Sequence, residues 1–510
     1  MKAEKQIPDN ESLCGNDLES MLNGRSLIVV SNRGPIGFSY AEDGNVQIQR
    51  SGGGLVTALL GLAQNVNITW VASALNDLEK EWGHERLDLD EGGRPIDLHL
   101  VPLEQEVYES YYNVISNPLL WFLQHSMWDF VSGPTFTRET WQAWEEGYVA
   151  ANRLFAQAVA KDVRASSGRS LVMLQDYHLY LLPRILRSIL RQTRKSEQLT
   201  LTHFVHIPWP GPEEIRILPP KIRNAILDGL TAVDVLGFQT REDGINFLQT
   251  IEAHLLGAYV SYKHGRIWYR NHATYVRDFP ISIDVIALKN LAQSQEVLKQ
   301  RIQLEEIIKD EQLILRVDRT DPSKNIVRGF QAFGEMLELH PEHRGKVKFI
   351  ALLVPSRLDV DEYHSYLDNL MAAAGWVNSK YGTSEWEPVR IILGENYQRA
   401  VAALQLYDVL LVNSIADGMN LVAKEGPVVN QKDGVLVLSE RTGARQQLEP
   451  GALVISPCDV YATSEALHQA LTMPAEERQT RANRLRTLVE ENDINVWFCS
   501  QISEISRLGF

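Results

Sequence analysis

Two stretches of the chain carry charged and polar residues spaced to hold a phosphorylated ligand. The first is Arg319-Thr-Asp-Pro-Ser-Lys324-Asn, which follows the apolar run Leu313 to Val317 and precedes a helical pattern. Two cations in the loop before a helix, where backbone N–H groups point outward, suit a phosphate. Asp321 or Ser323 can cap that helix. The competing reading pairs Arg319 with Asp318 or Asp321 and leaves Lys324 in solvent. Asp318-x-x-Asp321 is too sparse a carboxylate pair to hold a metal. The second stretch is Tyr407 to Asn430, YDVLLVNSIADGMNLVAKEGPVVN. Val409 to Val412 is short and wholly apolar, as in a strand buried on both faces. A polar turn ends at Asp417-Gly418, and helical character begins at Met419 with Leu421, Ala423, Lys424 and Glu425. Asp417 and Glu425 beside such a turn suggest a ligand with hydroxyls and phosphates. The plainer alternative makes Asp417 a helix cap and Glu425 a solvated acid. Pro427 is expected to break or kink the helix after two turns.

The first half of the chain offers polar groups of another kind. Gln175-Asp176-Tyr177-His178 ends one apolar run, and Phe204-Val-His206-Ile-Pro-Trp-Pro ends another. Asp176 and His206 thus fall at strand carboxyl ends, where ligand-facing side chains belong. A lone buried histidine is more often a core residue, but the pairing with Asp176 favours function. Tyr111-Tyr112-Asn113 leads through Trp121 to His125, and a Tyr hydroxyl with a Trp N–H suits sugar recognition. Tyr112 and Trp121 are nine apart, about five half-turns, so they do not share one α-helical stripe. Gly52-Gly53-Gly54 lets backbone approach a ligand closely. It lacks the G-x-G-x-x-G spacing of a nicotinamide-binding turn, which speaks against a dehydrogenase.

The elements that would hold these loops alternate. Strand candidates in the first half are Leu27–Val30, Ile68–Ala72, Leu171–Leu174, Thr202–His206 and Val233–Phe238. A long helical pattern runs from Thr137 to Val163, with Trp144, Tyr148, Ala151, Phe155 and Val159 on one face. The second half is more regular, with strands at Leu313–Val317, Val347–Val354, Val389–Leu393, Val409–Val412, Val435–Ser439 and Leu453–Ser456. The helix between the first two spans Ile326 to Leu339. Repeated β-α units in both halves predict an α/β protein of two doubly wound parallel-sheet domains facing a cleft. The join falls near Ile283 to Ala287, before the charged helical stretch Leu288 to Asp310.

Bulk properties narrow the classes. At 510 residues, with 44% hydrophobic and 23% charged residues, the chain reads as a soluble globular protein of two large domains. Its net charge of −15 comes with no basic block, which excludes a nucleic-acid or acidic-membrane role. The three cysteines, Cys14, Cys458 and Cys499, have no metal-ligand spacing and argue for a reducing cytosol without a disulfide framework. Residues 1–24 read as a disordered polar tail with no signal peptide. No apolar segment approaches the ~20 residues that span a bilayer.

The motifs SNRGP, SGGGL, YYNVISNPLLW, QDYHL, FVHIPWP, DVLGFQT, RTDPSKN, VPSR, ADGMNLVAKE, GVLVLSE and NDINVW occur in this order. From about Leu27 to Phe498 the chain resembles the trehalose-6-phosphate synthase family of retaining, nucleotide-sugar-dependent glycosyltransferases (family 20). The resemblance implies a GT-B fold with an acceptor-binding domain at 25–285 and a nucleotide-sugar-binding domain at 286–490. A C-terminal helix within 491–510 is expected to cross back to the first domain. Carried over residue by residue, Arg319 and Lys324 clamp the donor diphosphate in place of a divalent cation, and Glu425 holds the ribose. Asp417, with Gly418, Met419, Asn420 and Leu421, meets the donor sugar and diphosphate, and Gly53 faces the diphosphate. Arg33, Tyr112 and Arg357 make the acceptor-phosphate site, while Asp176, Trp121 and His206 lie at the reacting sugars.

The implied substrates are an NDP-glucose, foremost UDP-glucose, and glucose 6-phosphate. No cofactor or metal, no nucleic acid and no membrane is implied, and a homo-oligomer is allowed. Some positions depart from the usual pattern. Thr320-Asp-Pro-Ser-Lys-Asn325 stands for L-D-Y-S-K-G, Ala416 for an Arg, Gln175 for a His, and Trp70-Val-Ala-Ser-Ala74 for a W-x-G-W-type segment. RTDPSKN and NITWVASA resemble the validoxylamine 7′-phosphate synthase branch instead. A cyclitol phosphate or glycerol 3-phosphate is therefore an alternative acceptor, and a silent sugar-phosphate sensor an alternative class.

Overall fold

A computed structural model describes residues 22, 25–40, 46–50, 68–87, 96–128, 131, 133–357 and 360–510. The tail 1–21, the SGGGL motif with Gly53 and the VTALLGLA pattern after it lie outside the described residues. The chain divides into two units. One holds the chain up to Gln124, then Trp128–Pro280 and Asn495–Phe510; the other holds His125–Met127 and Ile281–Ile494.

The first unit contains β1 (Arg25–Val30), β2 (Ile36–Tyr40), β3 (Val46–Arg50), β4 (Ile68–Ala74), β5 (His84–Leu87) and β6 (Ile96–Pro102). After a helical stretch come β7 (Arg169–Gln175), β8 (Leu199–Val205), β9 (Val235–Phe238), β10 (Tyr259–Ser261), β11 (Arg266–Tyr269) and β12 (His272–Asp278). Apart from the hairpin β2–β3, these form one sheet of order β10-β11-β12-β9-β8-β7-β1-β4-β6-β5. From β12 to β6 every neighbour is parallel; β5 and the β10–β11 ribbon add antiparallel edges. Sequence reading missed β6 and these edge strands, because alternating polar residues such as Asp97 and His99 hide them. The strand order turns back between β1 and β7. At their carboxyl ends stand Ser31-Asn32-Arg33 and Asp176.

The second unit is a single parallel sheet of β13 (Gln312–Arg319), β14 (Val347–Val354), β15 (Val389–Leu393), β16 (Val409–Val412), β17 (Val435–Ser439) and β18 (Leu453–Ile455). Its order, β15-β14-β13-β16-β17-β18, reverses between β13 and β16. That is the doubly wound Rossmann arrangement, whose ligand crevice lies at the reversal. The loops Arg319–Asn325 and Asn413–Gly418 leave β13 and β16 at that point. Helix Ile326–Leu339 clamps the first loop to the sheet through buried Phe330 and Phe333. Both rings meet Phe349 of β14 edge-on, at 5.3 and 5.5 Å. Truncating either ring to alanine would cost about 3–5 kcal/mol.

Three local expectations change. The pattern from Thr137 is one helical run, but Ala143–Val149 within it is π-helical, as is Ser110–Trp121. The two π segments pack so closely that a Cβ on Gly147 would lie 2.5 Å from Ser110 Cβ. In a wide π-helix, bonded i→i+5, nine residues fall near two whole turns. Tyr112 and Trp121 therefore share a side that α-helical spacing denied them. The helix expected from Met419 begins only at Val422, since Asn420 takes a left-handed φ of 71°. Pro427 lies inside that helix, which ends two residues later at Val429. Cys458 is free and exposed. Among the described residues no helix is long and apolar enough to cross a membrane.

Candidate active site

In the second unit the two crevice loops are tied together by charge. The Lys324 ammonium, on the β13 loop, is ion-paired with the Asp417 carboxylate on the β16 loop. Ser414 Oγ and Asn420 Nδ2 also donate to Asp417 Oδ2, at 3.3 and 3.1 Å. Burial pushes the Asp417 carboxyl up, but Lys324, with help from His125 and the Asn420 amide, more than offsets it and holds it below the usual carboxylate range. Asp417 neither caps the helix nor faces open solvent. Its backbone is fixed as well, by a bridge to Thr442 and bonds with Arg441 and Gly443.

The rest of the β13 loop is an ordered electrostatic network. Arg316, wholly buried, lies 3.3 Å from Asp318 and donates to Asn413. Burial raises Asp318 to about 6, only partly offset by Arg316 and Lys324. Asp321 has the opposite fate. Burial pushes it up, yet the Arg319 and Arg357 guanidiniums outweigh that and hold it near 2. Asp321 accepts Ser323 N–H and Oγ–H at 2.9 and 2.7 Å, Arg357 Nη1 at 3.3 Å and the Tyr363 hydroxyl at 3.1 Å. Asp321 thus caps the short 3-10 turn Pro322–Lys324, whereas Asn325 heads the long helix. Asn325 sits at φ 58°, where a glycine fits most cheaply and asparagine is the best-tolerated substitute. Its side chain donates to the carbonyls of Asn413 and Pro457 at 2.9 and 2.7 Å. Glu425 is half-buried, accepts the Tyr397 hydroxyl at 3.0 Å, and is raised by burial. Beside it Lys424 is buried against the Ile281 carbonyl, 2.6 Å away, and burial lowers it to about 7.

In the first unit the switch point is built mainly of stacked rings, with one cation, Arg33, and one carboxylate, Asp176, among them. Tyr112 stacks between Tyr108 and His178, with centroids at 5.3 and 5.7 Å. The Arg33 guanidinium lies over its ring at 6.0 Å. Buried Trp121 leans on Tyr177 at 5.7 Å. Asp176 adopts φ 70°, a strained setting for this residue. Its carboxylate accepts the backbone N–H of His206 at 3.2 Å, not the ring. The His206 ring instead meets Gln175 Oε1 through Nε2 at 2.9 Å and Gln239 Nε2 through Nδ1 at 3.4 Å. Gln175 can only accept there, so Nε2 carries the proton and Nδ1 accepts. Burial lowers His206 to about 3, and the imidazole is neutral at ordinary pH.

Arg33, Tyr112, Trp121, Asp176 and His206 therefore belong to one unit, and Arg319, Lys324, Arg357, Asp417, Gly418, Met419, Asn420, Leu421 and Glu425 to the other. His125 is buried with the second unit, where its charge would favour the ionised forms of Asp321 and Asp417. Sequence reading missed Tyr108, Gln239, Asn413, Tyr363 and Tyr397. Tyr108, four residues before Tyr112, Asn413, four before Asp417, and Tyr363, six after Arg357, stood near candidate residues in sequence, and Gln239 lay inside the motif DVLGFQT; Tyr397 had no such neighbour.

Two Rossmann-like parallel-sheet units define a GT-B glycosyltransferase. The model of Glycosyltransferase family 20 matches residues 25–507, and the chain belongs to that family, the trehalose-6-phosphate synthases. It is 34% identical over 492 residues to the UDP-forming alpha,alpha-trehalose-phosphate synthase of Schizosaccharomyces pombe, covering 95% of this chain and 91% of that protein. An E. coli trehalose-6-phosphate structure bound with UDP-2-fluoro glucose is similar with a TM-score of 0.79 and 29% identity, over 94% of this chain and 98% of that one. A UDP-forming synthase from Burkholderia xenovorans in complex with glucose-6-phosphate is similar with a TM-score of 0.80 and 26% identity, over 94% and 100%.

Proposed function

We propose that the chain transfers glucose from UDP-glucose to glucose 6-phosphate with retention, giving trehalose 6-phosphate. The observation that carries this is the Lys324–Asp417 pair at the sheet reversal, next to Arg319 and the helix that follows. The names of the relatives support the substrate pair. Lys324 and Arg319 would balance the departing diphosphate, the role a divalent cation fills elsewhere. A ligand phosphate would take over part of the Lys324 charge that Asp417 now holds. Asp417 and the backbone from Gly418 to Leu421 would then meet the donor sugar, and Glu425 the ribose.

At the acceptor, Arg33, Tyr112 and Arg357 would hold the phosphate, with Trp121, Asp176 and His206 at the reacting sugars. His206, neutral with a fixed tautomer, is suited to positioning a hydroxyl and not to delivering a proton. Transfer would proceed on one face, the leaving phosphate assisting removal of the acceptor proton, so that rate comes from positioning and charge stabilisation. The test is purified protein with UDP-glucose and glucose 6-phosphate, assayed for UDP release and for product anomeric configuration by NMR. Absence of UDP release would refute the reading, and an inverted linkage would refute retention. Activity that persists in EDTA is expected.

A second acceptor is favoured by one feature. Trp70 and Ser73, in the segment that departs from the usual pattern, hold the Arg33 loop. The Trp70 indole donates to Ser31 Oγ at 2.8 Å and Ser73 Oγ to Asn32 at 3.1 Å. A cyclitol phosphate would address the same loop. A panel of phosphorylated acceptors at fixed donor distinguishes the two.

A further inference from the structure

At the far end of helix Ile326–Leu339 from Lys324, a group of histidines and acids is left without a role in glycosyl transfer. The helix has 14 residues, which puts this end about 21 Å from the donor loop. His340 ends the helix, Glu342 and His343 form the next turn, and Glu465 and His468 come from the adjacent helix Val460–Thr472. The ligand atoms of His340, Glu342 and His468 all lie within 4.8 Å of one another. The geometry points to a site here for a divalent cation of the zinc class, held by His340, Glu342 and His468 with water completing the shell.

The hydrogen bonds around the histidines support it. His340 Nε2 lies 2.8 Å from the Glu465 carboxylate, which can only accept, so Nε2 carries a proton and in the neutral imidazole Nδ1 is the lone pair. That Nδ1 is 3.7 Å from Glu342 Oε1. His468 Nδ1 lies 3.0 Å from His343 Nε2. When His468 donates there, its Nε2 is a second lone pair. Each ligating imidazole would then give its other N–H to a neighbour, the arrangement typical of protein-bound metals. The His340 and His468 rings stack at 3.6 Å with planes 6° apart, which holds the two imidazoles next to each other. Ligand atoms in a tetrahedron with ~2.0–2.1 Å bonds stand about 3.3 Å apart. The His340 and Glu342 atoms, 3.7 Å apart, are already near that spacing, and both side chains are partly exposed and free to adjust. The negative end of the helix dipole also favours a cation at its C-terminus.

Among the described residues the other compact group, His84, His99 and Asp162, is less suited, because Asp162 is engaged by His99 Nδ1 at 2.8 Å and two imidazoles remain. The test is calorimetric titration of zinc chloride into the untagged full-length protein, with Tm recorded in parallel. One equivalent should bind and raise Tm. Glu342→Gln and His468→Ala should each weaken binding about tenfold or more, and Glu465→Gln, acting through His340, about tenfold. Glu342 is largely exposed, so Glu342→Gln keeps the fold and remains decisive where His468→Ala does not. His84→Ala should change nothing. Failure to bind zinc, binding that survives Glu342→Gln undiminished, or binding lost in His84→Ala would each overturn the site.

Discussion

The two sheet reversals of this chain share a topology and differ in chemistry. Between β13 and β16 the contacts are ionic: Lys324 on Asp417, Arg316 on Asp318, Arg357 on Asp321. Between β1 and β7 they are mainly stacked rings and amide–imidazole bonds around Tyr112 and His206, with Arg33 over the Tyr112 ring and the Asp176 carboxylate on the His206 backbone amide. A parallel sheet supplies only a place where loops diverge; the residues on those loops decide what can be held there. Ionic loops suit a diphosphate whose charge grows as it leaves. Neutral donors and acceptors suit hydroxyls that must be oriented without being ionised.

This contrast can be broken from either side. The largest effect is expected for Lys324→Ala, which should lower turnover by ~10²-fold or more with an unchanged circular dichroism spectrum. Near-wild-type turnover would remove the charge-stabilising role. Arg357→Ala should raise KM for a phosphorylated acceptor by about tenfold or more while sparing KM for the donor. Equal loss on both substrates would mean that its bond to Asp321 matters only for the loop. His206 tests the neutral side. With its ionisation pushed to about 3, the kcat/KM profile of the wild type should show no step between pH 5 and 8 that His206→Gln removes.

The smallest effect concerns the loop's backbone. Asn325→Gly keeps the left-handed geometry but loses three side-chain bonds, to Asn413, Pro457 and Arg328, at a cost of about 2 kcal/mol. Asn325→Ala adds about 1 kcal/mol of left-handed strain, so alanine should melt lower than glycine. The reverse order would show that helix propensity governs this position.

The sequence alone exposed every strand of the second sheet and both of its crevice loops, because buried parallel strands are continuous apolar runs. It also marked Asp176 and Arg33 at strand ends. The departures Gln175 and Asn325 were visible as letters but not as functions. Gln175 fixes a histidine tautomer, and Asn325 stands in for glycine while bolting two loops together. Mixed edge strands stayed hidden, since half their residues face water and interrupt the apolar signal.

What the order of residues determined is the strand–loop–helix repeat and the placement of its cations, both consequences of local periodicity and chain direction. What only tertiary structure decided is pairing. Lys324 and Asp417 are 93 residues apart, and only the strand order 3-2-1-4-5-6 makes their loops neighbours. For the same reason the Asp176 carboxylate meets the His206 backbone amide and the Asp176 carbonyl the His203 ring. The register of β7 on β8, and not the sequence distance, fixes what each side chain can reach.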